Sequence, residues 1–277
     1  MTLNCNGTLI DLTIPKVMGI LNLTPDSFYD GSRYKDEKSI CLQVEKMLTE
    51  GATFIDIGAY SSRPGADAVS EEEELKRMLP IVKLVVQEFP KIIISVDTFR
   101  SKIADECLSA GAAIINDISA GKRDEKIFSI ASKQKAPLIM MHMRGTPQTM
   151  QQQINYDHLT VAILNYFSER ISVARSYGLH DLVVDPGFGF AKTSEQNYEL
   201  LQQLELFQNL NSPVLVGLSR KSMIYKTLDS SAENALNGTT ALHSIAIQKG
   251  ASILRVHDVK EALEVISLMQ QFPQTEQ

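Results

Sequence analysis

A polar residue that stands at the end of a short apolar run, immediately before a loop, is how a β-strand hands a side chain to a site. The 277-residue chain repeats this arrangement along its length. Asn22 closes Met18-Gly-Ile-Leu21, and Asp56, Asp97, Asn116, His142 and Asp185 stand in the same relation to later runs; Ser219 to Ser222 and the pair Arg255 and His257 complete the series. Asp and Asn side chains there would offer hydrogen-bond acceptors, and Arg and His would offer donors that can carry positive charge. After Asn22 the chain breaks into Thr-Pro-Asp-Ser, which cannot continue a strand because proline removes a ladder donor.

The elements that must position these residues alternate. Strand-like runs fall at 16–21, 54–57, 92–96, 113–115, 138–141, 182–184, 214–218 and 253–256, and helical patterns at 39–50, 71–88, 101–110, 124–133, 157–177, 194–206, 231–249 and 259–270. Gly-Ala steps at Gly51, Gly111 and Gly250 suit helix termination before a buried strand. Eight β/α units with continuous apolar strands predict an α/β fold, a (β/α)8 TIM barrel, whose site lies at the C-terminal strand ends. An open doubly wound sheet would carry a glycine-rich dinucleotide turn after its first strand, and none is present. Residues 1–14 alternate apolar and polar around Asn6-Gly7, which predicts a short β-hairpin capping one end of the barrel. One domain is expected over 1–277, with the barrel at 15–272 and a tail at 273–277.

Composition excludes several classes. The net charge is −6 with Lys and Arg scattered, and 44% of residues are hydrophobic. That is a globular composition without a nucleic-acid footprint. No apolar stretch approaches the roughly 20 residues of a membrane span, and the N-terminus lacks signal-peptide order, so a soluble, cytoplasmic protein is expected. Cys5, Cys41 and Cys107 are dispersed and odd in number, which fits reduced thiols; Cys41 and Cys107 read as core residues.

Eight segments, in this order, resemble dihydropteroate synthase: Gly19-Ile-Leu-Asn-Leu-Thr-Pro-Asp-Ser-Phe28, Ser61-Ser-Arg-Pro-Gly-Ala66, Ser95-Val-Asp-Thr98, Ile115-Asn-Asp-Ile118, Met141-His-Met-Arg-Gly-Thr-Pro147, Asp185-Pro-Gly-Phe-Gly-Phe190, Gly217-Leu-Ser-Arg-Lys-Ser222 and Arg255-Val-His-Asp258. Each is weak alone, and the ordered set is specific. The resemblance implies a transferase of folate biosynthesis that joins 6-hydroxymethyl-7,8-dihydropterin diphosphate to 4-aminobenzoate, releasing pyrophosphate. It implies Asp97, Asn116, Asp185 and Lys221 around the pterin, and Asn22, Arg63, Arg255 and His257 around the diphosphate. Asn22 is the implied ligand of Mg2+, the expected cofactor. Phe28, Ser62, Pro64, Phe190, Lys221 and Ser222 are the implied walls of the 4-aminobenzoate pocket. Asp97, Lys221, Arg255 and His257 are the expected catalytic group, and a homodimer with an apolar face near 242–247 is implied as well.

Two readings compete: a pterin-binding barrel that serves a corrinoid methyltransferase, and a Schiff-base aldolase built on Lys221. Arg255 and His257 alternate, so one strand end should point both to the same side; a surface ion pair with Asp258 is the plain alternative. Strand-end acids could also merely cap the following helices. The chain departs from the family at Gly58-Ala-Tyr-Ser-Ser-Arg63, where Gly-Gly-Glu-Ser-Thr-Arg is common, so Tyr60 replaces an acid and Ser62 lacks a methyl. Ala191 stands where Gly is frequent. The connections 26–38 and 58–70 are long and are expected to close over the site, and no insertion blocks sulfonamides that mimic 4-aminobenzoate, so sensitivity is expected.

Overall fold

The computed structural model describes residues 1–23, 33–60 and 69–272. The chain starts with an antiparallel hairpin, β1 (Thr2–Cys5) and β2 (Thr8–Asp11), in which Thr2 faces Asp11 and Cys5 faces Thr8. Its turn needs two consecutive residues at positive φ; Asn6 at 50° and Gly7 at 83° supply them. Eight parallel strands follow: β3 (Lys16–Asn22), β4 (Phe54–Gly58), β5 (Ile94–Asp97), β6 (Ile114–Asp117), β7 (Leu138–Met141), β8 (Leu182–Asp185), β9 (Val214–Val216) and β10 (Ala251–Val256). They close into a barrel in sequence order, with β10 pairing β3. The expected hairpin and (β/α)8 barrel are both present.

The helices of the outer ring are α1 (Arg33–Thr49), α2 (Glu71–Glu88), α3 (Ser101–Ser109), α4 (Lys126–Gln134), α5 (Leu159–Ser176), α6 (Ser194–Gln202), α7 (Ser222–Thr227), α8 (Leu236–Gln248) and α9 (Val259–Met269). Three differences from the sequence reading have local causes. The first helix begins at Arg33, six residues before the expected start, because Lys35, Asp36 and Glu37 are compatible with a helical first turn although apolar periodicity begins only at Ile40. The helix expected over 194–206 stops at Gln202 and continues as a 3-10 segment, Leu204–Leu210, that ends on Asn211 at φ 50°. One turn and a half of helix, α7, lies inside what read as a loop; six residues are too few for a periodic pattern.

Alternation along the strands decides what faces the barrel axis. Met18, Phe54, Ile114, Ile139, Val183, Leu215 and Ile253 form one apolar cluster that also contains Leu3, Cys5 and Leu12 of the hairpin. This is the barrel floor, and the hairpin plugs it. Phe54 is fully buried there, and burying such a ring contributes roughly 1.5–3 kcal/mol. The residues between them, such as Val17, Ile55, Ile115 and Val184, pack outward against the helices in a second, larger cluster. Two residues above the floor, on the same inward face, stand Asp56, Asn116, Asp185 and Arg255. The site is the next layer of the barrel interior.

Candidate active site

β3, β5 and β8 run one residue, and β6 two residues, beyond their apolar runs, so Asn22, Asp97, Asn116 and Asp185 lie inside these strands; β9 stops at Val216, two residues short of the expected end. Register then sets them side by side: Asp97 is opposite both Gly58 and Asn116, and Asp185 is opposite Met141.

At the centre is a residue that the sequence placed at a strand end without a role. Asp56, with no exposed surface, accepts at Oδ2 from Arg255 Nε at 2.6 Å and from Asn116 Nδ2 at 3.1 Å. Its Oδ1 has no partner among the described residues. Arg255 reaches on with Nη2 to Asp97 Oδ2 at 3.1 Å, and the Tyr60 hydroxyl donates to Asp97 Oδ1 at 3.1 Å. Burial, and next the charge of Asp56, push the Asp97 carboxyl up to about 7, while Arg255 opposes them. Burial raises Asp185 as well, with Lys221 pulling against it. Arg255, flanked by Asp56 and Asp97, is held above its ordinary value despite burial.

Asp185 spends Oδ1 on the backbone N–H of Gly187, 2.8 Å away, and its Oδ2 makes no hydrogen bond to another described residue. Gly187 sits at φ 71° with its α-carbon so close to the His142 carbonyl that a methyl group would stand 2.1 Å from that oxygen. Lys192 fastens this loop from behind: its buried ammonium donates to Gly187 O at 2.9 Å and Phe190 O at 3.0 Å, and lies 3.2 Å from His142 Nδ1. Burial holds Lys192 down to about 7, and burial also keeps His142 well below its ordinary value. Neither role was legible in the sequence. His142 alone carried a signal, as the polar residue that follows an apolar strand.

Lys221 caps the N-terminus of α7 beyond the end of β9. Its Nζ donates to Phe188 O and lies 5.0 Å from the centre of the Phe190 ring, and burial brings it down to about 8. A Schiff-base lysine would be expected within a strand, so the aldolase reading loses its support. Ser222 is the first residue of α7.

The strand ends at Val256, between Arg255 and His257, so strand alternation alone does not govern where His257 points. Arg255 is held by Asp56 and Asp97, whereas His257 is exposed with Nδ1 3.0 Å from Ser219 Oγ. Asp258 takes both prongs of Arg220, at 2.9 and 2.7 Å. Local bonding accounts for other acids: Asp117, at the end of β6, accepts from Ser119 and Gly121 in the turn that follows, and Asp124, well past that strand, accepts from the N–H of Ser101 at the start of α3. Helix capping does not account for Asp56, Asp97 or Asp185. Phe28, Ser62, Arg63 and Pro64 lie outside the described residues, as do the greater parts of the two long connections.

Among the described residues no three His, Cys, Asp or Glu side chains are grouped to hold a metal, and no helix is long and apolar enough to cross a membrane. The amide of Asn22, half-buried at the end of β3, makes no hydrogen bond to another described residue. An oxygen of that kind fits Mg2+, which takes one or two protein oxygens and completes its shell with phosphate and water.

A barrel whose interior layer is a carboxylate–guanidinium–amide cluster is a site for a flat, donor-rich heterocycle. The comparisons agree with that class: the family model described as "Pterin binding enzyme" matches residues 18–257. The dihydropteroate synthase of Haemophilus influenzae is 43% identical over 272 residues, 98% of each chain. Among solved structures, the Yersinia pestis dihydropteroate synthase with a sulfonamide drug superposes with a TM-score of 0.91 at 41% identity, covering 98% of each chain. The Xanthomonas albilineans dihydropteroate synthase with 4-aminobenzoic acid gives 0.90 at 36% identity, covering 98% of this chain and 99% of that one. The chain belongs to the dihydropteroate synthase family of pterin-binding enzymes.

Proposed function

We propose that this chain condenses 6-hydroxymethyl-7,8-dihydropterin diphosphate with 4-aminobenzoate, giving 7,8-dihydropteroate and pyrophosphate. The observation that carries the reading is the convergence of Asp97, Asn116, Asp185 and Arg255 on one layer of the barrel mouth, with acceptor oxygens left for a ligand. Asp185 Oδ2 and Asn116 Oδ1 take the adjacent N–H donors of the amino-pyrimidinone edge. Asp97 stands across the ring, and Lys221 borders the pterin and the Phe190 wall together.

The leaving group is held where the β3 and β10 ends adjoin. Arg255 keeps Nη1 uncommitted among the described residues, and His257 lies at the exposed rim; Arg63, from the resemblance, adds a second fork. Asn22 would hold Mg2+, which would help neutralise the leaving charge. An arylamine is a weak nucleophile, so the C–O bond breaks first and its electron pair leaves with diphosphate. The resulting pterin methylene cation faces the ionised Asp97. The amine nitrogen then forms the C–N bond, and its proton passes to solvent or to the released pyrophosphate. No bond to the protein forms.

Phe28, Ser62, Pro64, Phe190, Lys221 and Ser222 line the proposed place of 4-aminobenzoate, and sulfonamides that mimic it should compete there. A homodimer is part of the same proposal. Of the apolar residues at 242–247, Leu242 and Ile247 pack on the core, and Ile245 is left exposed for such a face.

The test is pyrophosphate release from the pterin diphosphate with magnesium, run with and without 4-aminobenzoate. Release that rises with the arylamine, with dihydropteroate as product, is expected. Pterin binding without release under either condition would refute the reaction and favour the carrier reading.

A further inference from the structure

We propose that Tyr60 is a positioning residue for Asp97: its phenol O–H fixes one carboxylate oxygen while Arg255 holds the other, so that an ionised carboxylate faces the reacting methylene carbon. The role rests on the condensation proposed above and adds a residue to it.

Position 60 follows the end of β4 by two residues, where the family commonly has an acid. An ionised acid accepts hydrogen bonds and donates none, so it could not do for Asp97 what a phenol does. Tyr60 has a donor, aimed at Asp97 Oδ1 over 3.1 Å. Its ring is placed independently of that bond, packed edge-on against Phe99 with centroids 5.5 Å apart. Phe99 in turn carries the guanidinium groups of Arg100 and Arg123 over its face, at 4.9 and 4.0 Å. Two fixed donors, on β10 and beyond β4, thus hold the two oxygens of one carboxylate. An aspartate side chain with both oxygens held cannot rotate, and preorganisation of this kind is what makes a buried charge useful to a developing cation.

The charged groups around Asp97 come from every wall. Asp56 on β4 and Glu74 on α2 push its carboxyl up; Arg255 on β10 and the Tyr60 hydroxyl bring it down. Asp185 and Lys221 act on Arg255 or on each other. Loss of solvent around the partly buried Tyr60, and next the charges of Asp97, Glu74 and Asp117, hold its own ionisation well above the ordinary tyrosine value, so it remains a donor across the working range.

The experiment compares wild type, Tyr60→Phe and Tyr60→Gln. Phe keeps the ring on Phe99 and deletes the donor, and Gln restores a donor without the ring. Two quantities are read against pH: kcat/KM for the pterin diphosphate, and the Asp97 carboxyl itself by carbon NMR. Hydrogen bonds to an ionised group are worth enough to move a titration by about one pH unit. In Tyr60→Phe the acid limb and the carboxyl midpoint are expected to rise together by about that amount, with KM for 4-aminobenzoate unchanged; Tyr60→Gln returns both toward wild type. Ionisations of the substrate are common to all three proteins and drop out of the difference. A Tyr60→Phe midpoint within about 0.2 units of wild type overturns the role, as does a fall in kcat that is uniform across pH. If the wild type makes no dihydropteroate, the reaction fails, and the NMR midpoint still decides whether Tyr60 sets the state of Asp97.

Discussion

Replacing Asp97 by asparagine should make the protein more stable and inactive, and the size of the gain follows from the site. An ordinary aspartate titrates near 3.8; burial and the neighbouring Asp56 carry Asp97 to about 7. A difference of that size corresponds to about 4 kcal/mol that the folded chain forgoes when the carboxyl is ionised. The sign is that of an acid whose folded value is raised: its contribution is fully present below about 4 and is lost as pH climbs through 7. Asparagine carries no charge and keeps one acceptor oxygen, enough for the Tyr60 hydroxyl or for Arg255 but not for both. The expected gain is about 2–4 kcal/mol at pH 8, because Arg255 then keeps only Asp56 as a charged partner, and it shrinks toward zero at pH 4. Urea midpoints measured at pH 5 and pH 8 read the difference directly, provided the slope with urea is common to both proteins. A gap that is the same at both pH values, or an asparagine variant that is the less stable at pH 8, would refute the reasoning. Product formation measured on the same samples should be close to background.

Two further outcomes come from the loop that carries Asp185. Gly187→Ala places a methyl 2.1 Å from the His142 carbonyl at φ 71°, so it should destabilise by about 3 kcal/mol or more and raise KM for the pterin substrate; thermal melting and steady-state kinetics check both. Lys192→Met removes the donor for two buried carbonyls, a loss of about 1–3 kcal/mol. Because burial lowers Lys192 from 10.5 to about 7, the wild-type lysine contributes fully above 10.5 and progressively less as pH falls through 7. The variant should therefore lose more stability at pH 9 than at pH 6 in urea titrations, and a larger loss at pH 6 would be the wrong sign.

The barrel was legible because its strands are continuous apolar runs closed by one polar residue, a pattern that needs only neighbours in sequence. The same feature marked Asn22, Asp97, Asn116 and Asp185 as site residues, and the period of two explains why they share a face with Met18, Ile114 and Val183. The role of Asp56 escaped the sequence because it depends on Arg255, 199 residues away. Tyr60 read only as a departure from a family pattern, since nothing local says that its hydroxyl meets Asp97. Lys192 looked like one more lysine before a helix; its three partners lie on two different loops. Arg255 was assigned to an anion by the resemblance, and the barrel gives two of its nitrogens to carboxylates first. The surplus of short polar contacts in the mouth is a tertiary property, created when the seam between β10 and β3 closes.

That seam has a consequence for how the protein becomes an enzyme. The guanidinium that joins Asp56 to Asp97 arrives on β10, the last strand to be synthesised, while both acids stand on strands made in the first hundred residues. Until the barrel shuts, the two carboxylates have no common cation, and the nascent chain holds an unneutralised pair facing solvent. Site assembly and ring closure are thus one event. Occupancy of the pterin site can report on barrel closure during refolding, and a circular permutant should retain the site wherever its new ends fall, provided the eight strands still meet.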